Sequence, residues 1–149
     1  MSLTISEAKQ GVVDIFEKGW SALGLNVDNI IHQGKPGGAP SCDDATGNEL
    51  YDNTWCRFLL VHTTFFKETV SNREGISIFN RNAILTVQLF YPLGDGTNDN
   101  ISQGIVDIFE SQHDITGLWF RNVTPREIGA TDNWFQVNIE CDVIYDQIK

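Results

Sequence analysis

The sequence predicts one α+β domain: a mainly antiparallel, or mixed, sheet of about four or five strands with two helices on one face and a projecting loop or hairpin. Three observations predict it. Two stretches repeat apolar residues at helical spacing, others alternate with a period of two, and Gly/Pro/Asn/Asp-rich segments separate them. The 149 residues fit a single domain spanning 1–149. A chain of this size buries roughly 70% of its unfolded surface, enough for a substantial core.

The first helix begins at "TISE". Thr4 and Glu7 have the capping-box spacing, in which hydroxyl and carboxylate each take a free backbone amide. Ala8, Val12, Ile15, Phe16, Gly19 and Leu23 then mark one face, and Gly24 is a natural stop. Residues 34–53, "GKPGGAPSCDDATGNELYDN", read as a long flexible loop of a kind that is often functional.

A strand is expected from 55 to 62. Residues 65–81 follow without a clear period, although Phe65, Phe66, Ile76, Ile78 and Phe79 are apolar. Such a segment suggests a projecting hairpin whose apolar tip needs a partner. Those five residues and Arg81 are the candidate assembly contacts. From 83 to 91 the chain alternates again, with Leu85, Val87, Leu89 and Tyr91 facing inward.

"LFYPLGDGTNDN" then concentrates four Asp and Asn residues and two glycines. A calcium loop counted from Asp95 needs glycine at position six and Glu at twelve, but Asn100 and Val106 stand there. No Gly-Lys-Ser/Thr follows, and Asp99 occupies the third glycine position of a dinucleotide fingerprint. The residues instead suit a strand-to-helix joint. Pro92 ends the ladder, Gly94 and Gly96 permit unusual backbone angles, and Asn98 or Asp99 caps a helix over 99–112. Ile101, Ile105, Ile108 and Phe109 form its buried face.

"GVVDIFE" (11–17) is nearly repeated as "GIVDIFE" (104–110), with no similarity in the flanks. Both helices are expected to lay a β-branched and aromatic face on the same kind of surface, the glycines marking close approach. Strands at 118–124 and 134–145 close the chain, with "TPREIGATDN" between them as the expected hairpin turn. Phe135, Val137, Ile139, Cys141, Val143 and Tyr145 share the buried face of the last strand. Trp134 lies on its other face, which suggests a contact surface or a second layer.

No constellation in the sequence carries catalysis, and no cofactor or metal site is expected. His32, His62 and His113 lack ligand spacing. Cys42, Cys56 and Cys141 form an odd set without Cys-x-x-Cys, which fits reduced thiols, and the last two sit in strand-like runs as small core residues. Twenty acidic against ten basic residues give a net charge of −10, unsuited to gripping nucleic acid or an anionic membrane. An acidic wall past which DNA slides fits that sign. The apolar runs are too short for a membrane span, and the N-terminus lacks a signal pattern, so a cytosolic site of folding is expected.

Four stretches carry a family resemblance: "TWCRFLLVH" (54–62), "RNAILTVQLFYPLGDG" (81–96), "GLWFRNV" (117–123) and "WFQVNIECDVIYDQI" (134–148). In order and spacing they resemble the tail terminator, or tail completion, proteins of long-tailed bacteriophages. Ala83 departs from the family's Arg-x-Gly turn, and the 34–53 loop is long. The resemblance implies a non-enzymatic virion protein of a phage or prophage, assembled in the bacterial cytoplasm. It would form a homohexameric ring on the head-proximal end of the tail tube, stop polymerisation, and meet the tube protein and a head-completion or neck protein. The competing readings are a tube subunit or head-completion protein, a metal-dependent enzyme using Asp43, Asp44, Asp95 and Asp99, and a monomeric small-ligand binder.

Overall fold

The structure, a computed structural model, describes residues 3–34, 54–70, 77–92, 99–112, 117–131 and 134–148. The elements are helix α1 (Ile5–Ala22), a 3-10 turn (Val27–Asn29), strands β1 (Ile30–His32), β2 (Trp55–Val70) and β3 (Ser77–Pro92), helix α2 (Asp99–Glu110), and strands β4 (Leu118–Thr131) and β5 (Trp134–Ile148). The five strands form one sheet in the order β1-β2-β3-β5-β4. β1 runs parallel to β2 and every other pair is antiparallel, so the sheet is mixed and the domain is α+β.

Helix α1 starts where its chemistry dictates. The Thr4 hydroxyl accepts from the Glu7 amide at 3.1 Å, and the Glu7 carboxylate accepts from the Thr4 amide at 3.3 Å. Gly24, at φ 85, takes the left-handed conformation just past the helix. Ala8, Val12, Phe16 and Trp20 face the core, while Ile15 and Leu23 pack on its margin. α2 buries Ile101, Ile105, Val106, Ile108 and Phe109. Both helices join one core cluster with the same parity of each inner strand: Cys56, Phe58 and Leu60; Leu85, Val87 and Leu89; Val137, Ile139, Cys141 and Val143. Both helices therefore cover one face of the sheet.

The helices approach closely through glycine. A Cβ on Gly19 would stand 2.5 Å from Ile108 Cγ1, and one on Gly104 2.7 Å from Leu23 Cδ2. Gly11 is nearly as tight, 3.1 Å from Leu118 Cδ1. The glycines that open the two near-repeats thus mark close packing, as expected.

Three sequence expectations need correction. β2 does not end at 62, and β3 begins at Ser77 rather than 83. The aperiodic stretch is largely ladder, with Phe65 opposite Arg81 and Phe66 opposite Asn80. Irregularities between His62 and Thr64, and between Lys67 and Thr69, shift the register and erase the period. The β3 limb also pairs with β5 as far as Ile78 and Ile148. Second, "TPREIGATDN" is not the turn: β4 continues to Thr131. From Arg121 onward it is an edge strand largely exposed on both sides, which hides its alternation, and its edge position tolerates Pro125. Irregularities between Arg121 and Thr124 and between Glu127 and Gly129 interrupt it further, with Asn122 at φ 56 and Gly129 at φ 117. Third, α2 ends at Glu110, short of 112.

The sequence reading missed β1, which is too short to show a period. Residues 35–53 and 93–98, and with them Cys42, Asp43, Asp44 and Asp95, lie outside the described residues, as do Ile76 and His113. β3 does end at Pro92 and α2 does start at Asp99, the two ends expected of a strand-to-helix joint. No helix among the described residues is long and apolar enough to cross a membrane.

Candidate functional site

The sheet face opposite the helices presents the second parity of each strand. At one end of it Trp55 and Phe90, directly opposite in the β2–β3 register, stack with centroids 4.2 Å apart and 11° between planes. Trp134 meets Trp55 edge-on at 5.9 Å. This half-buried tryptophan thus belongs to a second apolar layer, one of the two roles its parity suggested. The Arg57 guanidinium lies over both stacked rings, 5.4 Å from Trp55 and 5.7 Å from Phe90. Arg57 is exposed and has no ion pair among the described residues. Trp55 is only 4% exposed, yet its indole N–H has no hydrogen-bond acceptor among the described residues.

Farther along the same face Val61 and Ile84 are register partners and are 50% and 43% exposed. Ile84 is opposite Asp142 on β5. Beyond it Arg126 pairs with Glu140, and Asn122 Nδ2 donates to Asp142 Oδ2 at 2.9 Å. An apolar patch flanked by charges on both sides is a surface able to bind a complementary one.

On the helix-covered face, the sheet ends in a polar cluster. His62 Nε2 and the Tyr145 hydroxyl share a hydrogen bond of 2.8 Å, their rings perpendicular. Burial lowers the His62 pKa, and the nearby Lys9 and Arg81 charges add to the shift. Burial raises the Tyr145 pKa, with Arg81 opposing. Arg81 is buried, donates through Nε and Nη2 to Gln147 Oε1 at 3.0 and 2.8 Å, and lies over the Phe79 ring at 5.1 Å. Of the candidate assembly residues, Arg81 and Phe79 therefore meet inside this cluster. Phe65, Phe66 and Ile78 occupy ladder positions near the same end of the sheet.

A cleft of about 350 Å³ between α1 and the β1–β2 edge is lined by Lys9, Val13, His32, Gln33, Phe58 and Leu60. His32 Nε2 lies 3.2 Å from Glu17 Oε1 at its rim. The Cys56 and Cys141 thiols are buried in the core. Desolvation pushes both up, Cys141 to about 12 with help from Asp142, so neither is a ready nucleophile. Among the described residues no three His, Cys, Asp or Glu side chains converge as metal ligands.

Sequence reasoning missed the Arg57–Trp55–Phe90 stack. Its members are separated in the chain and meet only through strand register, for which the alternation of each strand is a partial signal. No protein-family model matches the sequence, and no curated protein matches it significantly.

Proposed function

We propose that this chain is a structural subunit of a phage or prophage tail, closing a six-membered ring on the head-proximal end of the tail tube. In this role it carries no catalytic step. It stops tube growth and presents a surface to a head-completion or neck protein, while the tube protein meets the other side of the ring. The four stretches that resemble tail terminator proteins lie largely on β2, β3, β4 and β5, which are consecutive in the sheet. The observation that carries the reading is the helix-free face, where Val61 and Ile84 stand half exposed and an aromatic stack occupies one end. Exposed apolar surface of this kind favours association. A net charge of −10 suits a wall past which DNA moves without adhering.

The test is mass by light scattering over a concentration series, with each species imaged by negative stain. Closed rings of six subunits are the expected result. Open tubes would instead make the chain a tube subunit. A monomer that also fails to cap isolated tail tubes would remove the reading.

A further inference from the structure

Three features compete for a further role: the His62–Tyr145 cluster, the cleft beside His32, and the pairing of the helix-free face with the opposite side of the molecule. The first two hold internal contacts of the fold. The third carries an inference, which rests on the ring reading and specifies its contact.

The outer side of the helix layer offers an apolar groove and an excess of acidic charge to the apolar pair Val61 and Ile84 and the exposed Arg57 of the helix-free face. Between α1 and α2 runs a groove of about 550 Å³ with an apolar floor that includes Ile15, Leu23 and Ile108. Asp107 stands on its α2 wall and Lys18 on its α1 wall. α2 contributes Asp107 and Glu110, both exposed, and contains no Lys or Arg. α1 adds Glu7, Asp14 and Glu17 against Lys9 and Lys18, so the helix layer is acidic overall. The opposite face holds three of the four arginines among the described residues, Arg57, Arg121 and Arg126, against Glu140, Asp142 and Asp146, so it is balanced in charge where the helix layer is acidic. Of these arginines, Arg57 is already fixed in position by the Trp55–Phe90 stack, so little side-chain freedom is lost when it meets a carboxylate.

We infer that the helix-free sheet face of one copy seats on the helix layer of the next, Val61 and Ile84 entering the α1–α2 groove and Arg57 meeting the acidic α2 wall at Asp107. The two surfaces lie on opposite sides of one molecule. The contact is therefore heterologous, and repeating it produces a closed ring or an open filament according to the rotation per step. A stable contact takes about 800 Å² from each partner, roughly a tenth of the 8462 Å² exposed by one copy, which one face of the sheet can supply.

The experiment uses the full chain with Cys42→Ser as background. Arg57→Cys and Asp107→Cys copies, purified separately and differently tagged, are mixed and treated with a short bismaleimide. A product joining the two tags is expected, absent when either cysteine is left out. In parallel, Arg57→Asp and Asp107→Arg alone should each weaken association at least tenfold by light scattering, and the double variant should restore it. Cross-linked open chains would support the contact while overturning the closed ring. Wild-type rings with no cross-link, and with both charge reversals assembling normally, would overturn the contact and leave the ring standing. A monomer at every concentration with no cross-link overturns the contact as well.

Discussion

Phe16 on α1 and Phe109 on α2 stack almost parallel, their centroids 6.0 Å apart and 5° between their planes. They occupy the same position in the near-repeats "GVVDIFE" and "GIVDIFE". Each segment buries its second and sixth residues, Val12 with Phe16 and Ile105 with Phe109, and each opens on a glycine pressed against a leucine. Similar packing tasks on one sheet face account for the similar letters. Phe16 also meets Phe58 at 5.0 Å and Trp20 at 5.6 Å, so the stack ties both helices to the sheet.

A double-mutant cycle with Phe16→Leu and Phe109→Leu should therefore show coupling. Parallel-offset aromatic pairs contribute about 0.5–1.5 kcal/mol beyond the area they bury. Urea unfolding of the wild type, both single variants and the double variant gives the number. Additive single effects would mean that the rings stabilise only by burial.

The interhelical glycines differ in what a methyl group would strike. On Gly19 it would meet Cγ1, Cδ1 and Cγ2 of buried Ile108 within 3.0 Å, so the whole β-branched side chain and not just its tip has to shift. Overpacking costs about 1–3 kcal/mol and the helix-propensity gain of Gly to Ala returns about 1 kcal/mol. Gly19→Ala should thus be destabilising by about 1 kcal/mol. On Gly104 the obstacle is the tip of half-buried Leu23, which can rotate away. Gly104→Ala should be neutral or up to about 1 kcal/mol more stable. Chemical denaturation of the two variants separates the cases.

The elements that were legible in the sequence are those with one buried face and one wet face. α1 announced its start through Thr4 and Glu7, and β5 alternated along nearly its whole length. Trp20, one turn beyond Phe16 and fully buried, was left out of the helix face read from the sequence. Of β4 only 118–124 was legible, because an edge strand with Arg121 through Ile128 largely in solvent has little buried parity to reveal. The outer half of β2 was obscured by register shifts at Thr64 and Thr69. The aromatic stack depends on Trp55 standing opposite Phe90, and register across strands is set by the whole sheet rather than by either segment.

Acid should weaken the fold through His62. Its imidazole, hydrogen-bonded to Tyr145, is held below the ordinary value of 6.5, first by burial and then by the Lys9 and Arg81 charges. The unfolded chain therefore binds more protons than the folded one from pH 6.5 downward, and stability falls as pH drops through that window to the folded value. Above 6.5 both states are neutral and the effect vanishes. Thermal melts between pH 7.5 and pH 5, values chosen to bracket the reference pKa of about 6.5, should show a steeper loss for the wild type than for His62→Gln. Equal slopes would assign the acid sensitivity to other groups.

Two buried tryptophans should respond oppositely to loss of the indole nitrogen. Trp20 is fully buried and its Nε1–H donates to the Asn26 carbonyl at 2.8 Å. Trp55 is nearly as buried, but its Nε1–H has no acceptor among the described residues. Replacement by Phe removes a similar slice of apolar area from each site. At position 20 it also deletes the bond to the Asn26 carbonyl, which keeps the Asn29 amide as a donor, whereas at position 55 it removes a donor whose unpaired burial costs about 1–3 kcal/mol. Trp20→Phe should consequently destabilise by about 1–3 kcal/mol more than Trp55→Phe, as read from urea midpoints at constant m-value. The Arg57 guanidinium over ring 55 gives an internal check, since Phe still offers a π-face and the cation–π contact persists. Equal losses at the two positions would show that the Trp55 N–H finds an acceptor in solution, and with it that the aromatic end of the helix-free face is wetter than its packing implies.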